Sequence, residues 1–197
     1  MTKTEQMKKI KDEVLDLKSS PLYKYRTENG FFPVLGEGNH DADILFIGEA
    51  PGRNEAKTGR PFCGAAGKIL DELLHSIEVP RGDVYITNIV KDRPQNNRDP
   101  LPEEIEVYGP FLDRQIKIIE PKVIATLGRY SMEYIMKKFG LSGELKTISL
   151  MHGKSFDAKA DNKGIKIIPL YHPAAAIYNR NLIKTLKEDF KTLKNIK

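Results

Sequence analysis

A chain of 197 residues, 40% hydrophobic and 30% charged, can bury a full core and has an ordinary globular balance, so one domain over 1–197 is expected. No apolar run has the length of a bilayer-spanning helix, and the Lys/Glu-rich N-terminus lacks a signal peptide's apolar core, so a cytoplasmic location is expected. The formal charge of +5 mildly favours an anionic partner, and one cysteine, Cys63, excludes an intramolecular disulfide or an all-cysteine metal site within one chain.

Residues 2–18 carry Met7, Ile10, Val14 and Leu17 at helical spacing, and Thr2 with Glu5 has the pattern of a capping box. Residues 19–42 hold Pro21, Gly30, Pro33, Gly36 and Gly38 and read as an irregular connection, packed over the core through Phe31, Phe32 and Val34. Ile44-Leu45-Phe46-Ile47 is a continuous apolar run, the pattern of a parallel strand buried on both faces. A polar stretch from Gly48 to Gly64 follows, then an amphipathic helix with Ile69, Leu70, Leu73, Leu74 and Ile77 on one face. A second strand spans Val84 to Ile89 and gives way to a polar, basic loop from Lys91 to Pro100.

Pro102-Glu103-Glu104 opens the next helix, with Pro early and acids in the first turn. Pro110 interrupts its pattern and predicts a kink or a later start. Val123–Leu127 is the third strand, and Gly128 turns into a helix carrying Met132, Ile135 and Met136 that ends near Gly140. Residues 141–163 read as a hairpin or a loop excursion. Ile165–Leu170 is the fourth strand, and a terminal helix from about Asn181 turns Leu182, Ile183, Leu186, Phe190 and Leu193 inward. Strands alternating with helices predict an α/β fold, its mostly parallel sheet covered on both faces.

In such a sheet the carboxyl ends of the strands share one edge, where open α/β folds place their sites. The first strand ends in a loop carrying Glu49, Glu55 and Phe62, the second in Asn88, and the fourth is followed by His172. Each has an ordinary role open to it as a turn, a cap or a backbone acceptor. Phosphate cradles do not fit: a GxxxxGK[ST] loop would need Gly at Phe62 and Ser or Thr at Ile69, and GxGxxG spacing is absent. The set suits a base instead. An amide pairs with the carbonyl and N–H edge of uracil, whereas cytosine presents the reverse pattern. An aromatic face stacks the base, and a histidine donor near its O2 stabilises charge as the glycosidic bond breaks. A carboxylate can orient water and balance the cationic sugar.

Those residues lie in Gly48-Glu49-Ala50-Pro51-Gly52, Gly59-Arg60-Pro61-Phe62, Thr87-Asn88-Ile89-Val90-Lys91, Asn97-Arg98-Asp99-Pro100 and His172-Pro173-Ala174-Ala175. In that order, over nearly the whole chain, they resemble the uracil-DNA glycosylases of family four; Pro21-Leu22 and Gly36-Glu37-Gly38 fit the N-terminal pattern. The resemblance implies a three-layer α/β/α sandwich with a central four-stranded parallel sheet. It implies a base-excision repair hydrolase that flips uracil out of single- or double-stranded DNA and cuts its N-glycosidic bond, leaving an abasic site.

By the same resemblance, Phe62 would stack on the base, Asn88 would read it, His172 would contact its O2, and Glu49 would sit by the water or sugar. Gly48 and Ala50 would lie beside the base, with Glu55 where a thymine methyl would go. Lys91, Arg98 and Arg180 would hold phosphates. The segment from Ala174 to Arg180 would press into the duplex, with Ile177 or Tyr178 as the wedge. A monomer with a DNA partner and no membrane partner is expected. Ala50 stands where the best-studied members of the superfamily have Asp. Water activation then falls to Glu49, or is weak because the departing base does most of the work.

One departure concerns a cofactor. Family four proteins hold a [4Fe–4S] cluster through four cysteines, and the matching positions here are Leu17, Ser20, Asp92 and Tyr108. No cofactor and no metal is therefore expected. Cys63 lies elsewhere, beside Phe62, and reads as a small buried side chain. Uracil-crosslinking relatives carry a histidine nucleophile after the second strand, and residues 91–100 contain no His. Two other readings stand beside uracil excision: a glycosylase for another deaminated base such as hypoxanthine or xanthine, and a DNA-binding module without catalysis. Retention of Glu49, Phe62, Asn88 and His172 argues against the latter.

Overall fold

The structure, a computed structural model, describes residues 1–160 and 163–194. Helix α1 (Lys3–Leu15) begins with the capping box the sequence predicts: the Glu5 amide donates to the Thr2 hydroxyl at 3.2 Å, and the Thr2 amide to the Glu5 carboxylate at 2.7 Å. Its buried residues are Met7, Ile10 and Val14; Leu17 lies just past its end, partly buried. The connection over 19–42 is more ordered than it reads. It contains α2 (Tyr23–Glu28) and the edge strand β1 (Glu37–Gly38), both too short to leave a periodic signal.

The other elements are β2 (Ile44–Gly48), α3 (Arg53–Thr58), α4 (Ala65–Ser76), β3 (Tyr85–Asn88), α5 (Pro102–Ile119), β4 (Val123–Leu127), α6 (Arg129–Lys138), α7 (Ile148–Met151), β5 (Phe156–Ala160), β6 (Lys163–Leu170), α8 (Ala175–Tyr178) and α9 (Leu182–Lys194). Strands β3, β2, β4 and β6 form the expected four-stranded parallel core. The sheet is wider than that, with antiparallel β1 and β5 completing the order β1-β3-β2-β4-β6-β5. Strand β5 pairs antiparallel with β6; residues 161 and 162 between them lie outside the described residues.

Side chains alternate across β2, which splits the core into two layers. Leu45 and Ile47 pack with residues of α1, α5 and α6. Ile44 and Phe46 pack with α4 and α9, where the Phe46 and Phe190 rings stack at 5.8 Å. Helix α5 passes through Pro110 rather than starting there. Pro110 and Glu106 are both exposed, so the carbonyl that loses its donor lies on the solvent face. Among the described residues no helix is long and apolar enough to cross a membrane.

From β2 the chain goes to β3 on one side, then to β4 on the other. That reversal opens a crevice at the carboxyl ends of β2 and β4. Glu49 follows β2 and Gly128 follows β4, so the topology itself brings these two residues together.

Candidate active site

A cleft of about 650 Å³ opens at this edge, with Glu49, Glu55, Phe62, Asn88 and His172 among the residues lining it. Its floor is set by strand register. Gly48 faces Asn88, and beyond the ladder the Ile89 and Val90 amides donate to the Gly48 and Glu49 carbonyls at 3.1 and 3.0 Å. Gly48 does not line the cleft; it clears space beneath it. A Cβ there would meet Asn88 Oδ1 at 2.3 Å and Phe62 Cζ at 2.9 Å. Asn88 is buried, and among the described residues its Oδ1 has no hydrogen-bond partner. A buried acceptor left unpaired costs about 1–3 kcal/mol; Thr126 Oγ1 is the other buried side-chain atom without a partner among the described residues.

Phe62 forms one wall, and its backbone is strained, with φ at +47°. Three neighbours hold it there. Arg81 donates to the Pro61 carbonyl at 2.8 Å. Glu55 Oε1 accepts from the Cys63 and Gly64 amides at 3.0 and 2.9 Å. Gly64 is the N-cap of α4, so Glu55 of α3 satisfies the two amides that lead into that helix. The Phe62 carbonyl lies against α4 at Gly67, where a Cβ would meet it at 1.8 Å. Cys63 is exposed, not buried, because the turned backbone points it outward.

His172 also lines the cleft, its ring stacked beside the Phe62 ring at 5.6 Å and within 26° of parallel. The Ala174 amide donates to His172 Nδ1 at 3.1 Å, so the neutral ring carries its proton on Nε2. Burial pushes this imidazole down to about 4, so it is neutral near pH 7. Glu49 lies close by, its Oε1 accepting from the Tyr130 amide at 3.2 Å in the first turn of α6. Burial pushes its carboxyl up to about 7, against that hydrogen bond. Gly128, at φ +99°, makes the approach possible: a Cβ there would meet Glu49 Oε1 at 2.4 Å and His172 Cβ at 3.3 Å. Asp99 accepts from Arg129 at 2.7 Å and from the Tyr130 hydroxyl at 3.0 Å, which ties the cleft's outer loop to α6.

The remaining candidates divide. Ala50, Arg98, Ala174, Ile177 and Tyr178 line the cleft. Helix α8 is a single turn that leaves Ile177 and Tyr178 exposed at the mouth. Arg98 donates to the buried Glu104 carboxylate at 2.9 Å, so part of its charge is already engaged. Arg180 is exposed but faces a separate depression beside Lys184 and Lys187 on α9. Lys91 does not fit its expected role. It is fully buried, and its Nζ folds back into the molecule onto the Asn88 carbonyl at 2.6 Å, so no phosphate reaches it. Sequence reading passed over Gly67 and the Asp99–Arg129–Tyr130 tie. A lone Gly inside the amphipathic pattern of α4 was the available signal for Gly67.

A family model described as the uracil DNA glycosylase superfamily matches residues 35–195. The chain belongs to that superfamily. It is 50% identical to the type-4 uracil-DNA glycosylase of Sulfurisphaera tokodaii over 96% of this chain and 84% of that one. It is 45% identical to the type-4 uracil-DNA glycosylase of Archaeoglobus fulgidus, covering 96% and 92%. A type-4 uracil-DNA glycosylase of Thermotoga maritima is 40% identical, covering 98% and 96%.

The positions that the resemblance assigns to cluster cysteines come together in space, and they do not suit a cluster. The Ser20 and Tyr108 hydroxyl oxygens are 2.7 Å apart, and Tyr108 donates onward to Asp92 at 2.6 Å. Arg26 donates to both Asp92 oxygens, at 3.3 and 3.1 Å, and to the carbonyls of Val14 and Leu15 at the end of α1. These hard oxygens are committed to one another and to a buried guanidinium, whereas iron–sulfur clusters want thiolates. Among the described residues no group of three or more His, Cys, Asp or Glu could hold a metal ion.

Gly67 offers a test in which two effects have opposite signs. Helix propensity alone would make Gly67→Ala stabilising by about 1 kcal/mol. The contact with the Phe62 carbonyl should reverse this, costing about 1–3 kcal/mol as overpacking does. Gly82→Ala, with nothing within 4 Å, is the control. Urea unfolding that finds Gly67→Ala as stable as Gly82→Ala would remove this support for Phe62.

Proposed function

We propose that this chain is a DNA-repair hydrolase that excises uracil by the following division of labour. The observation that carries the reading is the buried, unpartnered Asn88 Oδ1 in a cleft walled by Phe62 and His172. A flipped uracil stacks on Phe62. Asn88 accepts from its N3–H and donates to its O4, a pattern cytosine cannot satisfy. His172 donates from Nε2 to O2, and because the ring is neutral it meets the developing anion as a fixed dipole. The C1′–N1 bond breaks, its electrons leave with the base, and a water oxygen bonds to C1′ of the cationic sugar. Glu49 is the carboxylate placed to balance that cation and take the water's proton. Both cleft-side amides on Glu55 Oε1 belong to the Phe62 turn, which leaves Glu55 a positioning and lining role.

Ile177 and Tyr178 supply the apolar wedge, and Arg98 and Arg180 the phosphate contacts. We take the enzyme to act as a monomer in the cytoplasm, on single- or double-stranded DNA. We also propose that it needs no iron–sulfur cluster, because the Ser20–Tyr108–Asp92–Arg26 network does the structural work. That network joins α1, α2, α5 and the loop after β3.

Uracil release from a single-stranded oligonucleotide is the first measurement, run beside hypoxanthine and xanthine. Release of either purine in preference to uracil would replace this reading. Asn88→Ala is expected to lose about 1–3 kcal/mol of transition-state binding.

The pH profile follows from Glu49. Its carboxyl is raised to about 7, so it is protonated and idle below that and charged above. The single-turnover rate should rise about tenfold per pH unit up to near 7. Glu49→Gln should be slow and flat over that range; an unchanged rising limb in this variant would assign the limb to another group.

Protein purified anaerobically should be colourless and keep its activity in chelator. Stoichiometric iron and sulfide in the active protein would refute the cluster-free reading.

A further inference from the structure

Lys91 is fully enclosed, and burial pushes its ammonium down to about 7. Its Nζ donates to the Thr87 hydroxyl at 2.9 Å, the Asn88 carbonyl at 2.6 Å and Gln115 Oε1 at 2.6 Å. None of these partners is a carboxylate. Two of them are themselves held in place. The Thr87 hydroxyl donates to the Leu35 carbonyl at 2.7 Å, and Gln115 Nε2 donates to the same carbonyl at 2.8 Å. Both therefore turn lone pairs toward Nζ. An ammonium has three protons to give, and this shell presents three acceptors. A neutral amine would have only two, so the shell favours the charged form and opposes the lowering that burial causes.

Filling this space alone does not require a charge. An apolar side chain of similar volume avoids the desolvation cost. The position of Lys91 supplies the reason for a cation. Strand β1 pairs with β3 only as far as Ile86, so the last residues of β3 have no ladder partner on that edge, where the Leu35 carbonyl meets the Thr87 hydroxyl instead. Asn88 is the last of them, and Lys91 meets its carbonyl.

We propose that Lys91 is a positioning residue for base readout: it anchors the Asn88 main chain so that the amide holds its reading orientation, and it keeps a positive charge behind the base as that base leaves as an anion. This rests on the uracil-reading role proposed for Asn88.

The test compares Lys91→Met with the wild-type chain under saturating enzyme, on oligonucleotides carrying uracil or 5-fluorouracil. The fluorinated base is the more acidic leaving group and needs less help. The folded variant should release uracil ~10²-fold more slowly, the scale of a misplaced reacting group. It should lose several-fold less on 5-fluorouracil, with DNA affinity and its salt dependence unchanged. A native rate in the folded variant overturns the proposal. So does an equal loss on both bases, which indicates a structural role only, or a reduced salt slope, which indicates a phosphate contact. Should Lys91→Met not fold, Gln115→Met removes one acceptor and keeps the lysine. A rate loss with DNA affinity unchanged supports the anchoring of Asn88 there, and a native rate overturns it. If the wild-type chain releases no uracil, the reading of the whole site fails instead.

Discussion

Gly48 and Asn88 face each other across β2 and β3, and the pairing continues past both strands through the amides of Ile89 and Val90. This register is what the cleft depends on. It fixes Asn88 in the floor and sets Glu49 one residue beyond the strand end. It also sets Gly48 beside the Asn88 amide and the Phe62 ring, where a Cβ would meet them at 2.3 and 2.9 Å. A slip of one residue would turn Asn88 to the other face of the sheet, since side chains alternate along a strand. The rest of the site is built inward onto this floor. Phe62 is brought over it by Glu55, Arg81 and the notch at Gly67, and His172 closes it from β6.

Burial then sets the chemistry. The same low-dielectric surroundings push the Glu49 carboxyl up to about 7 and the His172 imidazole down to about 4. Both shifts disfavour charge before a substrate arrives, and in the proposed reaction both groups would face charge that appears only as the bond breaks. A neutral imidazole with its proton fixed on Nε2 needs no reorganisation to meet an anion. The dry interior raises the worth of each such contact and the cost of each unpaired group.

Around Asp92, two hydroxyls, a carboxylate and a guanidinium join α1, α2, α5 and the loop after β3 with buried hydrogen bonds. Such bonds are directional, and in a buried place each partner is expensive to remove. The loop following Asp92 forms the outer wall of the cleft, and its other end is tied to α6 through Asp99. The ties on both sides of the loop therefore bear on the shape of the cleft.

Much of this was written locally. The apolar run at Ile44–Ile47, the helical spacing from Ile69 to Ile77 and the glycine at 128 set element types, because periodicity and φ preferences act over a few residues. The order of strand and helix placed Glu49, Asn88 and His172 on one edge, because parallel strands share their carboxyl ends. Short β1 and the half-exposed β5 were not legible as strands, since two residues have no period and an edge strand has only one neighbour to satisfy. Lys91 is the plainest case of what the sequence cannot decide. A lysine in a basic loop after a strand reads as a surface cation. Only the tertiary structure, by stopping the β1–β3 pairing at Ile86 and setting Thr87 and Gln115 around the amine, turned it inward. The same holds for the left-handed turn at Phe62 and the tautomer of His172. Each is fixed by groups distant in sequence or by a backbone geometry that no local pattern encodes, and such contacts exist only once the layers have packed.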